Sequence, residues 1–142
     1  MEKIIKLKKL FNQYNLDGYI VPKNDEFFGE YIPENKDKLK FISNFSGSYG
    51  FALILKNKNY LFVDGRYTLQ AKMQSGKFYE IITIPKKFPS DVLKNKKLKI
   101  GFDPKLHTNK TLKIFFNKTN CKFVPIEKNL INKLITKKKD TN

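Results

Sequence analysis

A single arginine, Arg66, stands out in this 142-residue chain, in which lysine and arginine together number 29. It lies in the sequence DGRYTLQAKM, which runs from residue 64 to residue 73 and follows an apolar run. A guanidinium carries five donors in a planar fork that can bind two oxygen atoms at once, whereas an ammonium is a point charge. Composition therefore leaves two interpretations of Arg66 open: a binding residue, or an arginine in an ordinary surface ion pair.

The residues that follow Arg66 fit a strand and a helix almost equally well. Apolar side chains from Tyr67 to Met73 alternate, as in a strand, but they also recur at spacings of four. Good helix formers up to Gln74 and the glycine at position 76 favour a helix. We predict a helix from Arg66 to Gln74, with Asp64 placed to accept from its free backbone N–H groups or to brace Arg66.

The other reactive residue types are sparse. Cys121 is the only cysteine, so it cannot form an internal disulfide, and we expect it as a small residue beside a strand. His107 is the only histidine. A transition-metal site would therefore rest on carboxylates, and these are not clustered at ligand spacings. We expect no metal in this chain and no catalytic residue.

A segment of mixed charged and aromatic residues runs from 24 to 45 and contains Asp25, Glu26, Glu30 and Tyr31. Paired carboxylates can act as general acid and base, but glycine and proline interrupt this segment, which favours a solvated loop with short helical turns. The sequence SGSYG at residues 46–50 predicts a turn that needs positive φ or close backbone approach. It lacks the ending of a phosphate loop.

The bulk composition predicts one domain with a real core, since 40% of the residues are hydrophobic. The net charge of +16 suggests nucleic acid as a partner. However, the lysines are spread along the whole chain, no DNA- or RNA-binding motif accompanies them, and arginine is almost absent. We therefore expect weak nonspecific binding rather than specific nucleic-acid recognition.

Membrane segments are not expected either. No stretch reaches the length of an apolar span, and the N-terminal sequence MEKIIKLKKLF lacks the apolar core and cleavage site of a signal peptide. The expected location is the cytoplasm.

Helical and strand patterns alternate along the chain. A helix is predicted over residues 3–14, and the pair 51–55 and 60–63 is predicted as an antiparallel hairpin. Further strands are predicted at 19–21, 78–84, 98–102 and 121–124, with a turn at 90–93. Thr108 and Asn129 are each predicted to cap a later helix, the first with Leu112, Phe115 and Phe116 on its buried side.

Three blocks of the sequence resemble the N-terminal, creatinase-like domain of long-form Xaa-Pro aminopeptidases. DGYIVPKNDEFFGEYIPENKDKLKFISNFSGSYG, residues 17–50, is similar to the first strand of that domain and the loop that leads to its small-residue turn. VDGRYTLQAKMQ, residues 63–74, resembles its Asp-Gly-Arg-Tyr turn and helix. IGFDPKLHT and VPIEKNLINKLI resemble the later strand and the closing segment.

The resemblance implies an α/β domain with a mixed sheet flanked by helices. It also implies that peptide hydrolysis belongs to a separate C-terminal domain, where two divalent metal ions, usually manganese, activate water. The expected partners are that catalytic domain, a middle domain, a short proline-containing peptide substrate and, as a form of assembly, a second copy in a homodimer. In this family the matching arginine contacts substrate, so Arg66 is the expected substrate-binding residue, with Asp64 and Tyr67 supporting it.

Three positions depart from the family pattern: Asn44, Tyr49 and Thr68. We expect residues 1–135 to form the domain and residues 136–142 to be a polar tail or the start of a linker. The predicted function is that of a non-catalytic N-terminal domain, a fragment that is inactive alone. The alternatives are a freestanding binding or oligomerisation module and a basic nucleic-acid-binding protein. Prolidases and creatinases share the fold and remain open as the parent enzyme.

Overall fold

The computed structural model describes residues 2–23, 37–47, 49–84, 86–105 and 119–134. Its elements, in chain order, are α1 (Glu2–Tyr14), β1 (Gly18–Pro22), α2 (Lys38–Ser43), β2 (Gly50–Leu55), β3 (Asn59–Asp64), a 3-10 turn (Gly65–Tyr67), α3 (Thr68–Ser75), β4 (Glu80–Ile84), α4 (Pro89–Val92), β5 (Lys99–Phe102) and β6 (Lys122–Pro125). Residues 130–134 are also helical.

The strands form one six-stranded sheet in the order β4-β3-β2-β1-β5-β6. β2 pairs antiparallel with β1 and with β3, while β3–β4, β1–β5 and β5–β6 are parallel. The sheet is therefore mixed and, together with the flanking helices, confirms the predicted α/β class. The predicted hairpin is β2–β3, with Ile54 opposite Asn59.

Both faces of the sheet are buried against apolar side chains. Alternate residues of each central strand point to opposite faces, so each strand contributes to both core clusters. In β3, Leu61 and Val63 join one core cluster, while Tyr60 and Phe62 join the other. The first cluster includes the apolar side of α1, whose Phe11 is fully buried. Central strands with apolar residues on both faces explain the continuous apolar runs in the sequence.

The element boundaries agree closely with the sequence patterns, with small shifts. β4 begins at Glu80 rather than at Phe78, because Phe78 and Tyr79 donate backbone hydrogen bonds to the Ser75 carbonyl and form a turn. The predicted helix after Asp64 is present, although its first turn is a 3-10 turn. Asn129 caps the last helical segment as predicted, its Oδ1 accepting from the backbone N of Ile131 at 2.9 Å.

Several predictions lie outside the described residues. They concern the loop carboxylates Asp25, Glu26 and Glu30 with Tyr31, the isolated His107, the helix expected after Thr108, and the tail 136–142. Cys121 lies immediately before β6, as expected, and is partly buried.

Candidate functional site

The Asp64–Tyr67 turn lies at one end of the β3–β4 pair. Asp64 is the last residue of β3 and pairs with Ile84, the last residue of the parallel strand β4. The chain then turns through Gly65–Tyr67 into α3. Arg66 is therefore presented at the carboxyl ends of two parallel strands, which is where open α/β sheets commonly bind ligands.

Asp64 holds Arg66 through one carboxylate oxygen. Oδ1 of Asp64 accepts from the backbone N of Arg66 at 2.9 Å and from its Nε at 3.1 Å. The hydrogen bonds from the Arg66 backbone and side chain lower the pKa of Asp64, while the hydrogen bond to Asp64 raises the pKa of Arg66. Both groups are consequently charged at neutral pH. The Arg66 side chain is still 74% exposed, so most of it faces solvent.

Tyr67 links Arg66 to the core. The Arg66 guanidinium carbon lies 5.3 Å from the centre of the Tyr67 ring, which in turn meets Phe45 edge to face at 6.2 Å. Phe45 is fully buried. A Cβ at Gly47 would lie 2.3 Å from Cζ of Phe45, so the small-residue turn requires glycine there for close approach.

Tyr49 lies beside the Asp64–Tyr67 turn. The sequence analysis noted Tyr49 only as a position that departs from the family pattern. The antiparallel register pairs Gly50 with Val63, which places Tyr49 next to Asp64. Partial burial, and then the charge of Asp64, raise the pKa of Tyr49, a residue that is 43% exposed. The predicted hairpin could have indicated this contact. If Ile54 lies opposite Asn59, five steps back along β2 and five steps forward along β3 bring Tyr49 opposite Asp64.

The other two departures have local structural roles. Asn44 adopts a left-handed conformation with φ 67° at the end of α2, and asparagine tolerates this region better than most residues. The Thr68 hydroxyl lies 2.9 Å from that of Thr83 and ties the start of α3 to β4.

A polar cluster that the sequence did not indicate joins the small-residue turn to α3. Ser46 donates its backbone N–H to Oε1 of Gln74 at 3.0 Å. Its hydroxyl accepts from the amide nitrogens of Gln70 and Gln74 at 3.0 and 2.8 Å. These contacts fix the turn on the helix that follows Arg66.

Metal-ligating residues are not grouped in the described ranges, where no cluster of three or more His, Cys, Asp or Glu side chains could hold an ion. No helix within the same ranges has the length and apolar character needed to cross a bilayer.

Lysines line a separate cavity of about 580 Å³ at the opposite end of β3. Two of them are paired with carboxylates: Lys56 lies 3.8 Å from Asp17, and Lys58 lies 2.7 Å from Glu80. Lys96 also lines the cavity. Paired lysines of this kind are typical of a solvated surface.

The mixed sheet, with the Asp64–Tyr67 turn at the end of its β3–β4 pair, defines a domain of the creatinase and prolidase type. The chain belongs to the Creatinase/Prolidase N-terminal domain family, whose model matches residues 3–134. Its curated relatives include Xaa-Pro aminopeptidases P. It is 32% identical to the probable Xaa-Pro aminopeptidase P of Talaromyces stipitatus over 143 aligned residues, which cover 94% of this chain and 22% of that protein. With the probable enzyme of Laccaria bicolor it shares 40% identity over 81 residues, 57% of this chain and 13% of that protein.

Solved structures show the same relationship. The X-prolyl aminopeptidase of Caenorhabditis elegans, described as a cytosolic enzyme with a di-nuclear active site, superposes with a TM-score of 0.82 at 27% identity, over 95% of this chain and 25% of that one. A Xaa-Pro dipeptidase from Bacillus anthracis gives a TM-score of 0.72 at 26% identity, over 94% and 35% of the two chains. The matched part of this chain thus covers only 13% to 35% of these larger proteins.

Proposed function

We propose that this domain works within a Xaa-Pro aminopeptidase, where Arg66 binds an oxygen of the peptide substrate while another domain breaks the bond. The observation that carries the proposal is the exposed guanidinium held by Asp64 through Nε, at 3.1 Å. A guanidinium fixed in this way can direct its terminal nitrogens to a carbonyl or carboxylate oxygen. The resemblance assigns substrate contact to the same position.

Asp64 and Tyr67 support Arg66 in this role without touching the substrate themselves. Asp64 fixes the direction of the guanidinium, and the Tyr67 ring limits its movement from the side. A side chain that is already oriented loses less conformational entropy when it binds. The two residues are therefore positioning residues.

The chemistry belongs to the rest of the enzyme in this proposal. Two divalent metal ions, manganese by family resemblance, would activate water in the catalytic domain. The C. elegans relative, whose active site is described as di-nuclear, supports a two-metal centre. Its description as cytosolic likewise supports the cytoplasm as the location of this protein. A middle domain and a second copy in a homodimer complete the proposed partners.

An aminopeptidase is preferred to a dipeptidase as the parent enzyme. The curated relatives that match most of this chain at 30 to 32% identity are Xaa-Pro aminopeptidases P, and the superposition with an aminopeptidase is closer than that with the dipeptidase. The expected substrate is therefore a peptide with proline in second position and a residue after it. Comparing turnover of an Xaa-Pro-Xaa tripeptide with that of an Xaa-Pro dipeptide tests this, and a preference for the dipeptide contradicts it.

The test of Arg66 is Arg66→Lys in the complete enzyme. Because lysine keeps the charge but loses the fork, we expect kcat/KM to fall by about ten- to a hundredfold, with unchanged metal content. Lys72→Ala, on the exposed surface of α3, is the matched control and should change little. Unchanged kinetics in Arg66→Lys would make Arg66 an ordinary ion-pair residue.

A further inference from the structure

Two apolar side chains of α3 are unusually exposed. Leu69 is 73% exposed and Met73 is 79% exposed, the highest values among the large hydrophobic residues that the structure describes. They are four residues apart, and Leu69 is three residues after Arg66. Residues at these spacings share one face of a helix. Leu69 and Met73 therefore share one face of α3, and Arg66 lies in the 3-10 turn directly before that helix. These three residues are termed here the α3 stripe.

The exposure does not arise from loose packing of the helix. Ala71 and Ser75, on the other side of α3, are buried. The Ser75 hydroxyl donates to the carbonyl of Ser43 at 2.6 Å. With the Thr68–Thr83 contact at its start, α3 is held at both ends, so it cannot rotate to bury Leu69 and Met73.

The stripe continues into a concave surface. Met73 forms part of the wall of a groove of about 400 Å³ that also includes Phe41 and Phe78. The walls of this groove are mixed, with polar as well as apolar side chains. Single exposed apolar residues are normal, but an exposed apolar pair on a helix beside a concave surface is typical of an interaction surface. The groove is wide enough to receive a side chain from a partner.

We propose that the α3 stripe docks against the catalytic domain of the Xaa-Pro aminopeptidase, which covers Leu69 and Met73. This inference rests on the proposed function. If Arg66 reaches a substrate held by the catalytic domain, Leu69 and Met73 must approach that domain too, since the seven residue steps from Arg66 to Met73 span only about 10 Å. The aligned segments cover 22% of the T. stipitatus relative and 25% of the C. elegans chain, so most of such an enzyme lies outside this domain.

A second copy of this domain fits the stripe less well. A two-fold interface would bring the stripe against itself, so that the two Arg66 charges would lie in the same small interface. The chain carries a net charge of +16, which opposes such pairing. The Arg66 charge is instead suited to a surface that offers substrate oxygens.

Met73 provides a direct test, because the chain has only two methionines and the other is Met1. Hydrogen peroxide oxidises an exposed thioether to the sulfoxide, and a buried one reacts slowly. In the native complete enzyme, peptide mass mapping should show Met73 oxidising at least about tenfold more slowly than in the same enzyme unfolded in urea. Equal rates in the native and unfolded enzyme would overturn the proposal.

The 142-residue chain alone should show fast oxidation of Met73 at all concentrations. Protection that increases with the concentration of this chain would identify a second copy as the occupant and also overturn the proposal. In the complete enzyme, the double variant Leu69→Ser, Met73→Ser should lower kcat/KM severalfold. Ile5→Ser, which changes another exposed apolar residue on α1, is the matched control and should leave it unchanged.

The docking and substrate proposals fail in different ways. If Arg66→Lys has unchanged kinetics while Met73 is protected from oxidation in the complete enzyme, only the substrate role of Arg66 is contradicted. If Met73 oxidises fast in the complete enzyme while Arg66→Lys lowers kcat/KM, only the docking proposal is contradicted.

Discussion

One carboxylate oxygen of Asp64 accepts both the backbone N–H and the Nε–H of Arg66, at 2.9 and 3.1 Å. The first hydrogen bond caps the 3-10 turn, and the second sets the direction of the guanidinium. The shape of the turn and the orientation of Arg66 are thus coupled through a single atom. Substitutions at position 64 can separate the two effects.

Asp64→Asn should weaken substrate use in the complete enzyme while preserving the turn. An asparagine oxygen still caps the backbone, but the neutral amide no longer holds the guanidinium by charge. We expect kcat/KM to fall severalfold, less than in Arg66→Lys, and Asp64→Ala to have a larger effect. Asp91→Asn is the matched control, because Asp91 also accepts an exposed backbone N–H, that of Phe88 at 2.7 Å. Steady-state kinetics equal to those of the wild type would contradict the positioning role.

The titration of Asp64 should reveal its contact with Arg66. The Arg66 hydrogen bonds lower the folded-state pKa of Asp64 below its ordinary value of 3.8. Their stabilising contribution is therefore complete above the unfolded pKa and is lost as pH falls through the lowered folded pKa. In Arg66→Gln, the Asp64 carboxyl midpoint measured by NMR should rise, though not to 3.8, because the backbone hydrogen bond remains. An unchanged midpoint would show that the side-chain contact is not formed in solution.

Two glycines near the site should respond differently to alanine. At Gly47 a Cβ would meet the buried Phe45 ring at 2.3 Å, whereas at Gly65 the nearest atom, on Thr83, is 3.6 Å away. No described glycine has a positive φ. Gly47→Ala should lower the free energy of unfolding by about 1–3 kcal/mol. Gly65→Ala should leave it unchanged or raise it by less than about 1 kcal/mol. Urea unfolding of both variants measures this, and equal effects would refute the packing argument.

Tyr79→Phe should destabilise the fold through one buried hydrogen bond. The Tyr79 hydroxyl donates to the carbonyl of Ile42 at 2.7 Å, so its removal leaves that carbonyl unpaired. We expect a loss of about 1–2 kcal/mol in the free energy of unfolding at pH 7.5. Urea denaturation at that pH gives the value, and a loss below a few tenths of a kcal/mol would argue against the bond.

The same variant should change the response to alkali. Burial raises the pKa of Tyr79 well above its ordinary value of 10.0. Below pH 10 the phenol is neutral in both states and adds no pH dependence. Above pH 10 the unfolded chain ionises first, so stability falls as pH rises. The fall should be shallower in Tyr79→Phe, and identical slopes from pH 9.5 to 11 would contradict this.

The 142-residue chain should not hydrolyse peptides by itself. The described residues hold no cluster of metal ligands, and the proposed chemistry requires two ions in another domain. We expect no turnover of an Xaa-Pro-Xaa peptide with added manganese. Metal-dependent cleavage that co-purifies with the chain, and is abolished by a chelator, would contradict the division of roles.

Most of the fold could be predicted because its signals are local. The β2–β3 hairpin followed from two apolar runs joined by a short polar link, and α1 followed from apolar residues spaced three and four apart. The helix after Asp64 was harder, since two of its exposed residues are apolar. Leu69 and Met73 weakened the helical pattern because they do not face the core of this domain.

The surroundings of Arg66 were less predictable. Tyr49 reaches Asp64 through strand pairing, and Ser46 reaches Gln74 across 28 residues of sequence. Such contacts depend on how strands and loops pack, and no short-range pattern encodes them. Sequence reasoning therefore named the arginine, while most of its neighbours came from the structure.

The sequence by itself determined the family and the α/β class, because residue types, their order and hydrophobic periodicity carry that information directly. It also singled out Arg66 as the one arginine in the chain. Only the tertiary structure decided that Asp64 holds the guanidinium through Nε and that Leu69 and Met73 lie exposed on the same face. Exposure depends on what the remaining chain covers. In this domain the core is filled from the other side of α3, which leaves Leu69 and Met73 to face outward beside Arg66.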